Sequence, residues 1–451
     1  MVSLSKTQPS HNYPPSPKGH PFLGLLPEYS RDPLGFTTKC AKEYGDVVFW
    51  KLPLSPAYQL NHPDYIEEVL VTKNSQFIKH QSLQILGRML GNGLVTSEGS
   101  FWQHQRRLMQ PAFHRERIFS YGEVMVDYTK RLLPTWSRGE IRDIHEDMMG
   151  LTLEIVAKTL FGADVATEVE NIGKAMQVSI EYFESRNTNF LLYLLPDWVP
   201  APHNLRFQKA MQQMDQLIYG IIQQRKQSNE DAGDLLSMLL QVRDENGVGM
   251  SDRQLRDEVM TLFLAGHETT ALTLSWTWYL LSQHPEVEHK LQAELETVLG
   301  GRTPAIADLP QLTYTEKVIM EVMRLYPPVW AMARKVLHEC EIAGYPLKAG
   351  DGVFMSQWVM HRDPRYFDEP EVFNPDRWSE DLAKKLPTFA YFPFGGGSRI
   401  CIGKSFANME AVLLLATIAQ QFRLTLIPDQ QIVPWPAFTL RPKYGIKMMV
   451  N

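Results

Sequence analysis

The sequence predicts a mainly α-helical fold with small β-sheets, built as one large unit. Helical periodicity dominates from Trp102 to about Leu299, while short strand-like runs are confined to the region before it and to the stretch after Pro327. Neither a fixed-period repeat nor a long flexible linker divides the 451 residues. Apolar residues make up 44% and aromatic residues 11% of the chain. A chain of this length and composition can bury about three quarters of its unfolded surface, which excludes disordered and fibrous classes.

Taken in order, residues 1–35 hold Pro14, Pro15, Pro17, Pro21, Pro27 and Pro33, a density that predicts an extended leader laid on a single domain spanning 36–451. Asp46 to Leu52 and Ala57 to Leu60 read as short strands separated by Pro53 and Pro56. His62-Pro63-Asp64 then opens a helix through Val71. The helical middle is broken by P-D-W-V-P-A-P at Pro196 to Pro202 and by the polar stretch Arg225 to Asp234. Ser251 with Gln254 three residues on is a capping-box start, and the pattern it opens runs to His284, where Pro285 stops it. At 1.5 Å per residue that helix is roughly 50 Å long. After Pro327 come short strands and turns, a long loop, and a last helix from about Ile402.

Lys and Arg number 45 against 51 Asp and Glu, a net charge of −6, so the molecule lacks the cationic excess of a nucleic-acid binder. The three cysteines, Cys40, Cys340 and Cys401, are odd in number and far apart, which excludes a disulfide framework and fits a reducing compartment. The apolar stretch Ala411 to Ala419 falls far short of the roughly 18 residues of a membrane span, and no apolar leader follows a basic start. A soluble, cytoplasmic protein without a transmembrane anchor is the expectation.

Two segments carry chemistry. Glycine and threonine, poor helix formers, stand in the middle of the long helix within A-G-H-E-T-T, Ala265 to Thr270, where Gly266 alone costs about 1 kcal/mol relative to Ala. Near the C-terminus, F-P-F-G-G-G-S-R-I-C-I-G runs from Phe392 to Gly403. Its glycines let backbone approach a flat ligand, and backbone N–H groups with a following helix N-terminus can stabilise a thiolate at Cys401. A buried small hydrophobe after a Gly-rich turn is the plainer reading of such a cysteine. A phosphate-binding loop does not fit, because the G-x-x-x-x-G-K-[ST] spacing is missing.

These residues resemble the cytochrome P450 family. The haem-binding signature F-x-x-G-x-R-x-C-x-G is matched by Phe394, Gly397, Arg399, Cys401 and Gly403. W-x-x-x-R follows at Trp102 and Arg106, A-G-x-[DE]-T at Ala265 to Thr269, E-x-x-R at Glu321 and Arg324, and F-x-P-x-R at Phe373, Pro375 and Arg377. The resemblance implies haem b held between the long helix and the cysteine loop, with Cys401 as the iron ligand and O2 as co-substrate. Trp102, Arg106, Ala265, Arg334, Phe394, Arg399 and Gly403 are implied as cofactor-binding residues, the arginines meeting the haem carboxylates. Glu268 and Thr269 are implied as a catalytic acid and hydroxyl relaying protons on the distal face. His267, at the variable position, is expected to be structural. Glu321, Arg324 and Arg377 are implied as a structural charge cluster.

The implied activity is a haem-thiolate monooxygenase acting on an apolar small molecule. Long-chain fatty acids or alkanes come first, because A-G-H-E-T-T is similar to fatty-acid hydroxylating members, with terpenoids or steroid-like polycycles as the alternative. A haem-thiolate isomerase or peroxygenase and a haem sensor are the remaining readings. Leu94, Phe190, Val329, Trp330 and Phe438 are expected to line the pocket, Lys51 or Arg88 could anchor a carboxylate, and the loop at Pro196 to Pro202 could form an apolar entrance touching a membrane surface. Only 50 residues follow Cys401, too few for a reductase. Electrons from NAD(P)H should therefore arrive indirectly through a ferredoxin or flavodoxin and its reductase, docked on Arg106, Arg107, Arg115, Arg117 and Lys404.

Overall fold

The computed structural model describes all residues except 1–12, 54, 166–168, 189–191, 193–198, 229–232 and 244–246. Its axis is the helix Asp252–Gln283, 32 residues long, started by the capping box that the sequence announced. The Ser251 hydroxyl accepts from the Gln254 N–H at 3.2 Å, and the Gln254 side chain accepts from the Ser251 N–H at 3.1 Å. Buried residues occur on every side of this helix, as expected of a rod through the middle of a large fold.

Helix Ile144–Phe161 lies alongside it. Phe161 stacks on Phe263 at 5.6 Å, and the Thr152 hydroxyl donates to the His267 carbonyl at 2.9 Å. A Cβ on Gly266 would stand 2.5 Å from Val156 Cγ2. The glycine in A-G-H-E-T-T is thus explained by close helix packing, and its propensity cost of about 1 kcal/mol is offset by that contact.

A five-stranded sheet joins the two ends of the chain in the order Val47–Trp50, Ala57–Leu60, Gly352–Met355, Met332–Val336 and Phe77–Lys79. Ala57–Leu60 and Gly352–Met355 run parallel, and the other pairs are antiparallel. A short hairpin, Pro434–Pro436 with Leu440–Pro442, carries Ala437, Phe438 and Thr439 at its tip. The proline-rich leader ends sooner than expected, since helix Leu26–Arg31 and the start of helix Pro33–Tyr44 already lie within its last ten residues. Pro27 and Pro33 sit at the first helical positions, where the missing N–H costs nothing. Among the described residues no helix is long and apolar enough to cross a membrane.

Glu321 and Arg324 on helix Thr313–Leu325 are both 0% exposed and paired at 2.8 Å. Glu321 also accepts from Arg377 Nε at 2.8 Å, the Trp378 indole at 3.0 Å and the Asn374 N–H at 3.0 Å. Arg324 donates to the carbonyls of His361, Pro370 and Val372. No lone pair or donor of consequence is wasted, which is what a buried charge cluster requires.

Candidate active site

Residues 392–403 form a turn ahead of helix Lys404–Ala419. The Cys401 N–H donates to the Phe394 carbonyl at 3.0 Å, closing the loop on itself. Gly397 has φ +66°, and a Cβ there would fall 1.9 Å from the Leu70 carbonyl oxygen, so this position admits only glycine. A Cβ on Gly396 would strike the Phe389 ring at 2.3 Å. Burial pushes the Cys401 thiol up, while the Gly403 N–H and the charges of Arg106 and Lys404 pull against it.

Cys401 opens onto a cavity of about 680 Å³ whose opposite wall is the central helix. Phe394, Gly395, Ile402, Gly403 and Ala407 form the cysteine side, and Ala265, Gly266, Thr269 and Thr273 face it from the helix. The Thr269 hydroxyl donates to the Ala265 carbonyl at 2.7 Å, the carbonyl four residues earlier.

The cavity's edge carries more positive charge than its neighbours balance. Arg334 is half-buried there, with its guanidinium donating to the Ala333 carbonyl at 3.0 Å; desolvation and the charge of Arg399 push it down to about 10. Arg399 pairs through one nitrogen with Glu98, while its Nη1 is buried without a partner. Lys79, donating to the carbonyls of Leu94 and Ser97, is pushed down to about 7 by burial and the same arginines. Lys79 stands behind the lining, whereas His80, Arg334 and Arg399 are on the wall itself. A flat ligand bearing two carboxylates beside a thiolate-bound metal would supply the missing anions, so haem fits this donor set. Trp102 and Arg106 do not line the cavity. Trp102 instead lies 4.4 Å from the Arg399 guanidinium and 5.8 Å from that of Arg106, stacking on the cations.

Glu268 is oriented differently from the expected relay. It is 1% exposed, and its Oε1 accepts from Arg441 Nε at 2.7 Å and from the Thr439 hydroxyl. Burial alone would raise this carboxyl, but the Arg441 charge and the two hydrogen bonds outweigh it and hold the group below its ordinary value. Glu268 and Thr269 both line the cavity, but the carboxylate is held ionised on Arg441 and Thr439, which makes it a poor proton donor, whereas the Thr269 hydroxyl is bonded within its own helix. His267 is buried off the cavity and is pushed down to about 4 by burial, as befits a neutral packing residue.

Val329, Trp330 and Phe438 line the cavity with Ala331, Phe183 and Leu90. Leu94 does not: its side chain belongs to the core, its N–H donates to Glu258 at 2.9 Å, and Val95 takes the wall position. Phe190 lies outside the described residues, as do Pro196, Asp197 and Trp198 of the expected entrance loop. Neither expected carboxylate anchor reaches the cavity, because Lys51 is exposed elsewhere and Arg88 donates to the Tyr182 hydroxyl at 3.1 Å. The basic side chain on the distal wall is Arg186, engaged by Asn204 at 3.2 Å and set 4.9 Å from the Tyr182 ring. Of the basic docking group, Arg107 and Lys404 are exposed, Arg106 is half-buried, and Arg117 donates to the Gly233 carbonyl at 2.9 Å.

The family model described as Cytochrome P450 matches residues 14–450. The chain is 39% identical to cyclooctatin synthase of Streptomyces melanosporofaciens over 94% of its own length and 93% of that relative. It is 37% identical to cyclooctat-9-en-7-ol 5-monooxygenase of the same organism, covering 92% of the chain and 90% of the relative. It is 34% identical to pentalenene oxygenase of Streptomyces avermitilis, covering 93% of each.

Proposed function

The chain belongs to the cytochrome P450 family and is a haem-thiolate monooxygenase, and from that premise we propose that its substrate is a terpenoid carbon skeleton. The observation that carries this reading is the distal wall, where Val329, Trp330, Phe183, Phe438 and Leu90 offer apolar surface and neither Lys51 nor Arg88 offers a carboxylate anchor. Relatives named for cyclooctatin and pentalenene oxidation support it, and it takes precedence over the fatty-acid reading. A fatty acid would have to recruit Arg186 from Asn204 and Tyr182, and that residue is the reason to keep it as the second reading.

The low-to-high-spin change of the haem spectrum tests the two. Tricyclic sesquiterpenes and diterpene polycycles should give saturable shifts. If fatty acids bind instead, affinity should climb by up to about 0.8 kcal/mol per methylene along a chain-length series.

Haem, when bound, supplies dioxygen activation assisted by its thiolate ligand. Cys401 would hold the iron, Arg334 and Arg399 the carboxylates, and the Thr269 hydroxyl would deliver protons from the helix groove. Thr269→Ala should leave haem and substrate binding within about twofold. It should send most reducing equivalents to hydrogen peroxide, with Thr269→Ser restoring coupling. Unchanged product per NAD(P)H would remove Thr269 from the relay.

Electrons come from a separate redox partner, which we take to be a ferredoxin or flavodoxin docking on exposed Arg107 and Lys404. Arg107→Glu should slow reduction about 10-fold at low salt and flatten its salt dependence. Reduction rates indifferent to the substitution would place the donor elsewhere.

A further inference from the structure

The hairpin that brings Phe438 to the cavity is poorly equipped to hold itself. Each strand is three residues long, and three of its six residues, Pro434, Pro436 and Pro442, have no N–H to donate. An isolated two-stranded ribbon is at best marginal, so its position must be set by its surroundings. Those surroundings are well defined. The Trp330 indole donates to the Ala437 carbonyl at 3.0 Å, the Trp276 indole to the Leu440 carbonyl at 2.9 Å, and the Leu440 N–H to the Pro328 carbonyl at 2.9 Å.

One of the attachments is ionic. Thr439 and Arg441, which flank Leu440, both donate to Glu268 Oε1, one residue before Thr269 on the central helix. Arg441 Nη1 then reaches Gln177 Oε1 at 2.6 Å on helix Val169–Thr188. That helix also presents Phe183, whose ring meets Phe438 edge-on at 5.5 Å. Arg441 therefore ties its own hairpin to two helices that line the distal cavity.

We propose that Glu268, Thr439 and Arg441 form a clamp that fixes the hairpin tip over the distal cavity, making Arg441 a positioning residue that acts on the bound molecule through Phe438. A buried ion pair in a site that could have been apolar adds little net stability, but it permits one arrangement of the charged groups and excludes shifted ones. The clamp also accounts for an acid beside Thr269 that is bound away from the hydroxyl. The inference concerns any occupant of the cavity and stands apart from the terpenoid reading.

Two azoles that bind haem iron provide the test in the haem-loaded enzyme, with affinity read from the Soret shift. Imidazole occupies little of the cavity, whereas 4-phenylimidazole must meet its distal wall. Arg441→Met should weaken 4-phenylimidazole about 10-fold while leaving imidazole within about twofold. Phe438→Ala should reproduce that selective loss, the two substitutions together should be no worse than either alone, and Arg441→Lys should restore most of the affinity. Should Arg441→Met fail to fold because Glu268 is left uncompensated, Glu268→Gln combined with Arg441→Met removes both charges and carries the same expectation. Equal changes for both azoles, no change for either, or full additivity with Phe438→Ala would overturn the clamp.

Discussion

Cys401→His should give a chain that takes up haem but turns over substrate at least about 10³-fold more slowly, a loss of about 4 kcal/mol in transition-state stabilisation. The imidazole can occupy the loop because Cys401 opens onto the cavity and its backbone is fixed by the bond from its N–H to Phe394, which the side chain does not influence. What disappears is the electron-donating thiolate. The measurement is the ferrous carbonyl spectrum, whose red-shifted Soret band should be absent from the variant. A surviving band would show that another group ligates the iron.

Arg324→Met should cost about 3 to 5 kcal/mol of unfolding free energy, a large part of the 5 to 15 kcal/mol that holds a typical domain. Removing the guanidinium strands a fully buried Glu321 with Arg377 and Trp378 as its remaining side-chain donors, and frees the carbonyls of His361 and Pro370, while that of Val372 keeps its bond from Arg377. The effect should reach the cysteine loop by a traceable route. Arg324 holds the His361 carbonyl, the His361 ring accepts from the Phe392 N–H at 2.9 Å through Nε2, and Phe392 begins the turn that ends at Cys401. Burial and the Arg324 charge push His361 down to about 3, which keeps it neutral and able to accept. Denaturant midpoint and haem retention should fall together. A cost below about 1 kcal/mol would mean that the cluster is not the anchor of this region.

The residues legible in sequence were those whose geometry is local. Glu321 and Arg324 stand one helical turn apart, so their pairing follows from spacing. Ser251 and Gln254 announced the start of the long helix for the same reason. The glycines around Cys401 implied close approach of backbone, although two of them are explained by Leu70 and Phe389 rather than by a ligand. Leu94 was misassigned by one position, because periodicity on a loop does not say which of two apolar neighbours faces inward.

By itself, then, the sequence determined the long capped helix, the cysteine turn before the last helix, the buried charge cluster and the cytochrome P450 family, all of which rest on contacts within a few residues or on motifs. Tertiary structure decided the rest. Arg441 lies 173 residues from Glu268, Glu98 lies 301 residues from Arg399, and Arg88 is drawn to Tyr182 instead of the cavity. A buried charge must find a partner, but periodicity and spacing describe only the few residues on either side of it. Which distant segment supplies that partner is settled only when helices and sheets pack.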